Sequence, residues 1–555
     1  MKDSGIIDEQ AETNEHIDYL NDYLECIGTK SFIFEPEYVD RDYMEDYTRY
    51  YAKCFQRYSK LCSRIIFFGE KFNQSELEKD IIEGNTEIIK SLQSNFLGFI
   101  VLRPLPKTIL GKICLKTYPV NEYSNRIFPV LRNYKIHFLG IELTIKSLAF
   151  QEQDNAIAAC ATSALWSALQ GLGYGWGKNN TSSPSEITQN AKKIISDYSK
   201  NFFPNKGLQT SQMAHAIKEE GFEPLLTGFV NISYTKALIR AYMQAHIPII
   251  LGVVLVYEEE EGMMADGTPR NKPIGFHAVT VNGYNISKGN PKEFDMGNIP
   301  MHIDRTMKKS LYMYSSRMDK IYVHDDRLGP FVKMELRDEY FQRLQTHWNE
   351  YTNPDDKINA SINTILIPLY PKIRIKFHLI FSIICDFNTY YMEGWKKTGT
   401  NIEWDIHLST VCNLKREWLE MNNEEFEDNT IKLQMLSVSM PKFIWVANAI
   451  NTNDGKKNFT FIFDATDVEN SDLFICAIHY KQKSYMITHF QATLAKQYNI
   501  IRKDNLYNFQ SWKILSYHLN NSDKIIKPKT PYTDIGDIDR VLHEYDSAHN
   551  RSANQ

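Results

Sequence analysis

No two cysteines of the chain are spaced as a Cys-x-x-Cys pair. The eight that occur, Cys26, Cys54, Cys62, Cys114, Cys160, Cys385, Cys412 and Cys476, follow no regular framework. That usage argues against a zinc ribbon and a disulfide scaffold, and suits reduced thiols in a cytoplasmic protein. The fifteen histidines include no His-Glu-x-x-His and no His/Cys cluster with ligand spacing, so no metal or other cofactor is expected. Basic excess is missing too: the formal net charge is -5, and nucleic acid is not an expected partner. The longest apolar windows, 247–256 and 379–385, fall far short of the ~20 residues that cross a bilayer. They read as buried strands, and no membrane partner is expected. The opening stretch MKDSGIIDEQAETNE lacks the basic start and apolar core of a secretion signal, so the protein is expected to stay in the cytoplasm.

What remains is a globular profile, 43% apolar and 24% charged, with Tyr and Phe dominating the aromatics. At 555 residues the chain exceeds the roughly 250 to 300 that one core supports, so several domains are expected. Residues 1–93 read as a helical region in which YMEDYTRYYAKCFQRYSKLC sets tyrosines, Cys54 and Cys62 on one helix. Residues 94–145 read as short strands punctuated by Pro and Gly. From 146 to 350, helices (SQMAHAIKEEGF, YTKALIRAYMQAH) give way to strands (IPIILGVVLVY, GFHAVTVNGY, DKIYVHDDRLGPFVKMEL), with 258–273 as an exposed charged loop and a turn at Gly329-Pro330. Residues 355–520 read as a separate α+β domain in which YPKIRIKFHLIFSIICDF, MPKFIWVANAI and NFTFIFDATD are strands and NLKREWLEMNNEEFED a helix. Residues 521–555 form a flexible tail.

The stretch QEQDNAIAACATSALWSAL, 151–169, carries the chemistry. A cysteine is a nucleophile only as its thiolate, and the first turn of a helix favours that anion through the positive dipole end and unpaired amides. Cys160 fits this placement if the helix begins near Ala158 rather than behind an Asp154 or Asn155 cap. A thiol needs a base and the base an orienting acid. His277 stands in an apolar strand between Gly275 and Gly283, and Asp325 ends the strand KIYVHDD. Alternation sets Asp325 on the face opposite His324 and Asp326, and Asp325 is preferred over its neighbour. Singly, each of these residues reads as a packed core group, and His137 and the acidic FDATD stretch receive no role.

The order and surroundings of Cys160, His277 and Asp325 resemble papain-superfamily cysteine peptidases, closest to the bacterial double-glycine, bacteriocin-processing type, over about 146–336. The resemblance implies an α+β fold with a papain-like core, a nucleophile helix packed on an antiparallel sheet. It implies Cys160 as nucleophile, His277 as general base and acid, Asp325 as orienter and Gln153 as oxyanion donor, with Gly329 matching the last motif glycine. The chain departs from the pattern in three places. Ala161 replaces a Gly, Gln153 lies seven positions before the cysteine instead of six, with Gln151 a second candidate, and Asp326 replaces a Pro.

The resemblance implies hydrolysis of a protein or peptide substrate through a Cys-His-Asp triad. The large flanking regions suggest regulation, with a regulatory protein partner on the N- or C-terminal domain. Two rivals stand beside this reading: a thiol-dependent acyltransferase or transglutaminase-like enzyme, and an inactive peptidase-like binding scaffold.

Overall fold

The computed structural model describes residues 15–106, 108–120, 125–154, 160–172, 181–193, 207–263, 269–297, 299, 310–336, 343–348, 358–397, 401–421, 429–468 and 473–480. They divide into two compact units, one reaching Ile373 and the other starting at Arg374. Both mix helices with antiparallel sheets, so the chain is α+β as expected.

The first unit opens with α1 (Glu15–Cys26), β1 (Ser31–Tyr38), α2 (Arg41–Arg49), β2 (Cys62–Phe68), α3 (Gln74–Ile82), α4 (Thr86–Asn95), β3 (Phe96–Leu102) and β4 (Leu110–Leu115). Next come β5 (Arg126–Ile127), the β6 (Arg132–Phe138)–β7 (Ile141–Ser147) hairpin and β8 (Phe150–Gln151). Strands β1-β2-β3-β4-β8 form one antiparallel sheet.

The N-terminal region is therefore not helical throughout. The expected tyrosine helix is only α2, whose Asp40 cap accepts the Tyr43 amide at 2.9 Å and whose backbone leaves helical geometry at Tyr50. A 3-10 turn, Tyr51–Lys53, follows, and Cys62 belongs to a strand. The helical spacing of aromatics was real, since Tyr43 and Tyr51 are both buried with rings 6.0 Å apart, but it outlasts the helix.

The chain continues through α5 (Cys160–Leu172), α6 (Pro184–Ala191), α7 (Thr210–Glu219), β9 (Glu223–Gly228) and α8 (Ile232–Met243). Then come β10 (Ile249–Met263), β11 (Pro269–Ile286), β12 (Met318–Asp325), β13 (Gly329–Leu336), β14 (Arg343–Gln345) and β15 (Ile358–Leu369). Each of the last six pairs with the next, and β15 returns to pair with β10, so the ladder closes on itself, with β9 added to β15 and β5 to β11. Ile249, Ile250, Leu251 and Val253 are all buried, as the unbroken apolar run predicts. Two expectations need correction. Strands β10 and β11 run as a ladder through much of the supposed 258–273 loop. The turn at Gly329-Pro330 falls earlier, at 326–328, with Gly329 already in β13. Residues 173–180, including Trp176, lie outside the described ones.

The second unit contains α9 (Phe377–Lys397), β16 (Ile402–Thr410), α10 (Val411–Glu420), α11 (Asn429–Ser437), β17 (Phe443–Asn451), β18 (Lys457–Asp464) and β19 (Phe474–His479), the strands forming an antiparallel meander. Leu414 and Trp418 of α10 bury with Ile444, Val446 and Ile462, while Phe387 of α9 lies against Trp404 and Phe461. Here FHLIFSIICDF is helix, not strand. Its unbroken apolar run carries no period, and burial of Phe377, Ile380, Phe381, Ile384 and Phe387 at three- and four-residue steps is helical. The segment 521–555 lies outside the described residues.

Candidate functional site

Three elements of the first unit bring Cys160, His277 and Asp325 together. Cys160 is the first described residue of helix α5. Small residues let α5 sit close to β11, where the Thr280 hydroxyl donates to the Ala164 carbonyl at 2.6 Å. Strand β11 supplies His277. Strand β12 pairs with it at Thr280↔His324, so the next residue, Asp325, falls diagonal to His277.

His277 Nε2 lies 2.7 Å from Asp325 Oδ1 and 3.4 Å from Asp326 Oδ1. The Cys160 side chain acts on the same imidazole and favours its cation, and with Nε2 turned to the carboxylates, Nδ1 is the nitrogen left for the thiol. His277 is buried and Cys160 half-buried, so the sulfur is reachable while its partner is shielded. Burial alone would push the imidazole below its usual range. The charges of Asp326 and Asp325, with the bonds to Asp325 and Cys160, outweigh it and hold His277 well above.

Asp325 is fully buried and fully served. The Arg327 amide donates to Oδ1 at 3.0 Å and the Trp348 indole to Oδ2 at 2.6 Å. Burial pushes its carboxyl up, but the His277 charge and these donors win and hold it below the usual range. The Trp348 ring stands edge-on to the His277 ring, centroids 5.8 Å apart, and the Arg327 guanidinium lies 4.8 Å over that indole.

Alternation misplaces Asp326, which lies against His277 and not on the opposite face. Strand β12 ends at Asp325, so pleating no longer governs the next residue, and the β12–β13 register slips between Val323 and Asp325 where Phe331 takes φ 56. His324 does point elsewhere. Burial pushes it down to about 3, its Nε2 donates to the Leu148 carbonyl at 3.0 Å, and its Nδ1 accepts from the Phe331 amide at 3.2 Å. It is a neutral packing histidine.

Helix α1 buttresses this acid turn. His16 Nε2 donates to the Asp326 carbonyl at 2.7 Å, the Tyr19 hydroxyl donates to the Pro330 carbonyl at 2.7 Å, and Tyr23 stacks on Phe331. A Cβ on Gly329 would meet the Tyr19 ring at 2.7 Å, so a side chain there would have to displace that ring. Neither His16 nor Trp348 carried any sequence signal, because each lies in a stretch with no motif and reaches the site only through the fold.

Gln153 is exposed and makes no hydrogen bond to Cys160, His277 or Asp325 among the described residues, and Gln151 is buried in β8 opposite Lys112. Residues 155–159, which join them to Cys160, lie outside the described ones. Asp154, six positions before the cysteine, is buried and accepts the Tyr51 hydroxyl at 2.8 Å, with Arg103 Nη1 3.8 Å away. The expected tyrosine stripe thus ends on the lead-in to α5.

Ligand-type atoms of His277, Asp325 and Asp326 lie within 4.8 Å of one another. The 2.7 Å from His277 to Asp325 is a hydrogen bond, so in this arrangement the imidazole is held by the acids. No helix among the described residues is long and apolar enough to cross a membrane. The sequence matches no protein-family model and shows no significant similarity to a curated protein.

Proposed function

We propose that the protein is a cysteine peptidase acting on a protein or peptide substrate. The observation that supports this reading is the alignment of a half-buried thiol on a small-residue helix, a buried imidazole, and a carboxylate 2.7 Å from the imidazole's far nitrogen.

In this mechanism Cys160 transfers its proton to His277 Nδ1, and the thiolate attacks the peptide carbonyl carbon. A C–S bond forms while the carbonyl oxygen takes up the electron pair, held by the Cys160 amide and, following the resemblance, by the Gln153 side chain. Collapse breaks the C–N bond as the imidazolium protonates the departing amine. Water then gives a proton to His277, attacks the thioester and releases the acid with the restored thiol. Asp325 holds the tautomer and stabilises the imidazolium without taking the proton. An amine in place of water would give acyl transfer by the same steps.

The test is hydrolysis of a peptide library by the purified full chain against its Cys160→Ala variant, with products identified by mass. Loss of cleavage in the variant supports the reading. Equal cleavage by both, or none by the parent under reducing conditions, removes it.

A further inference from the structure

Asp326 is a second carboxylate facing the nitrogen that Asp325 already occupies. Its side chain is 2% exposed, and Oδ1 lies 3.4 Å from His277 Nε2. Neither of its carboxylate oxygens has a hydrogen-bond partner, whereas Asp325 accepts from an indole, an amide and the imidazole. A buried carboxylate without donors is costly, and what compensates it here is the cation that forms on His277. The turn holds it in place through its backbone, since the Asp326 carbonyl accepts from His16.

We infer that Asp326 is a positioning residue that stabilises the cationic form of His277, so that two carboxylates and not one hold the imidazolium opposite the Cys160 thiolate. The inference rests on the proposed use of that thiol. It also names a device the resemblance does not contain, since a Pro is expected where Asp326 stands.

Asp325 is positioned by its three donors and orients the ring. Asp326 has no comparable set of donors, and the His277 imidazolium is the charge that opposes its burial most. The other groups facing the pair are the Cys160 thiol from α5, His16 from α1 with Glu152 3.8 Å behind it, and Arg327 across the Trp348 ring. Burial pushes the Asp326 carboxyl up, to about 6, with Asp325 adding to the rise and His277 opposing it. It is thus ionised at neutral pH and protonated in mild acid.

The test reads His277 and Cys160 directly, without a substrate. The His277 ring resonances are followed by NMR against pH in the full chain, and iodoacetamide alkylation of Cys160 is followed by mass spectrometry over the same range. In Asp326→Asn the loss of the imidazolium moves to lower pH by about one to three units, and the step in alkylation rate that marks the change from ion-paired to unpaired thiolate moves with it. Asp326→Glu restores most of the shift. Wild-type protein supplies a readout that needs no variant: two coupled groups titrate in two steps, so the His277 resonances show a second inflection as Asp326 protonates. An unmoved His277 midpoint in folded Asp326→Asn, or a single inflection in the wild type, overturns the inference. A chain that shows these shifts and cleaves no peptide keeps the inference and loses the peptidase reading.

Discussion

The Trp348 indole N–H donates to Asp325 Oδ2 at 2.6 Å, while the other oxygen of the same carboxylate faces His277 at 2.7 Å. One acid thus joins a residue with no motif around it to the imidazole. Trp348→Phe keeps the ring and deletes the donor, leaving a buried oxygen unserved at about 1–3 kcal/mol. On the proposed reading kcat/KM falls about 10- to 100-fold with KM little changed, and activity is lost at a higher pH on the acid side because Asp325 is no longer held as low. Pre-steady-state rates across pH 4 to 8 read both effects, and a variant with wild-type rates would remove Trp348 from the site.

Cys160→Ala and His277→Ala each lower peptide hydrolysis by about 10³-fold or more, and the double variant is no worse than either alone, because the pair acts as a unit. A thiol-reactive peptide warhead should label Cys160 alone in the native protein. Even labelling across Cys26, Cys412 and Cys160 would favour the binding-scaffold reading, since the first two are simply exposed thiols.

Gln153→Ala lowers kcat by about 10²- to 10³-fold with KM unchanged if its amide serves the oxyanion. Gln151→Ala should instead lower the melting temperature, because Gln151 is buried in the β4–β8 ladder. Steady-state kinetics beside a thermal melt separate the two, and an unaltered kcat in Gln153→Ala leaves the Cys160 amide as the remaining donor.

Asp46 is buried and accepts the Ser185 amide at 3.1 Å. Burial, reinforced by Asp154 and opposed by Ser185 and Arg103, pushes its carboxyl from 3.8 up to about 7. An acid raised by folding stabilises the fold fully below its unfolded value, and that contribution is lost as pH rises through the folded one. Asp46 therefore removes up to about 4 kcal/mol between pH 4 and 8, at 1.36 kcal/mol per unit. Asp46→Asn abolishes this part of the slope, so urea unfolding at several pH values gives a variant curve flatter than the parent's. Parallel curves would mean that Asp46 is charged in the folded state across the range.

Much of the site was legible because its signals are local. Cys160 lies on a small-residue helix, and His277 and Asp325 lie in apolar strands, which are patterns a reading of neighbours can find. The errors fell where neighbours do not decide. FHLIFSIICDF became a helix because packing against residues distant in sequence, such as Phe387 on Trp404, selects among conformations that an unbroken apolar run leaves equal. Asp326 lies beside His277 because a strand end and a register slip broke the alternation that had set it on the other face.

By itself, then, the sequence determined the α+β class, the most apolar strand, the small-residue helix that carries the thiol and the strands that carry His277 and Asp325. Propensity, periodicity and residue chemistry act over a few positions, and these features need no more. Only the tertiary structure decided that β15 closes on β10, that α1 buttresses the acid turn, and that Trp348 and Asp326 join His277. Those contacts link residues from 23 to 311 positions apart, and side-chain geometry across such separations is set by packing, which no local pattern encodes.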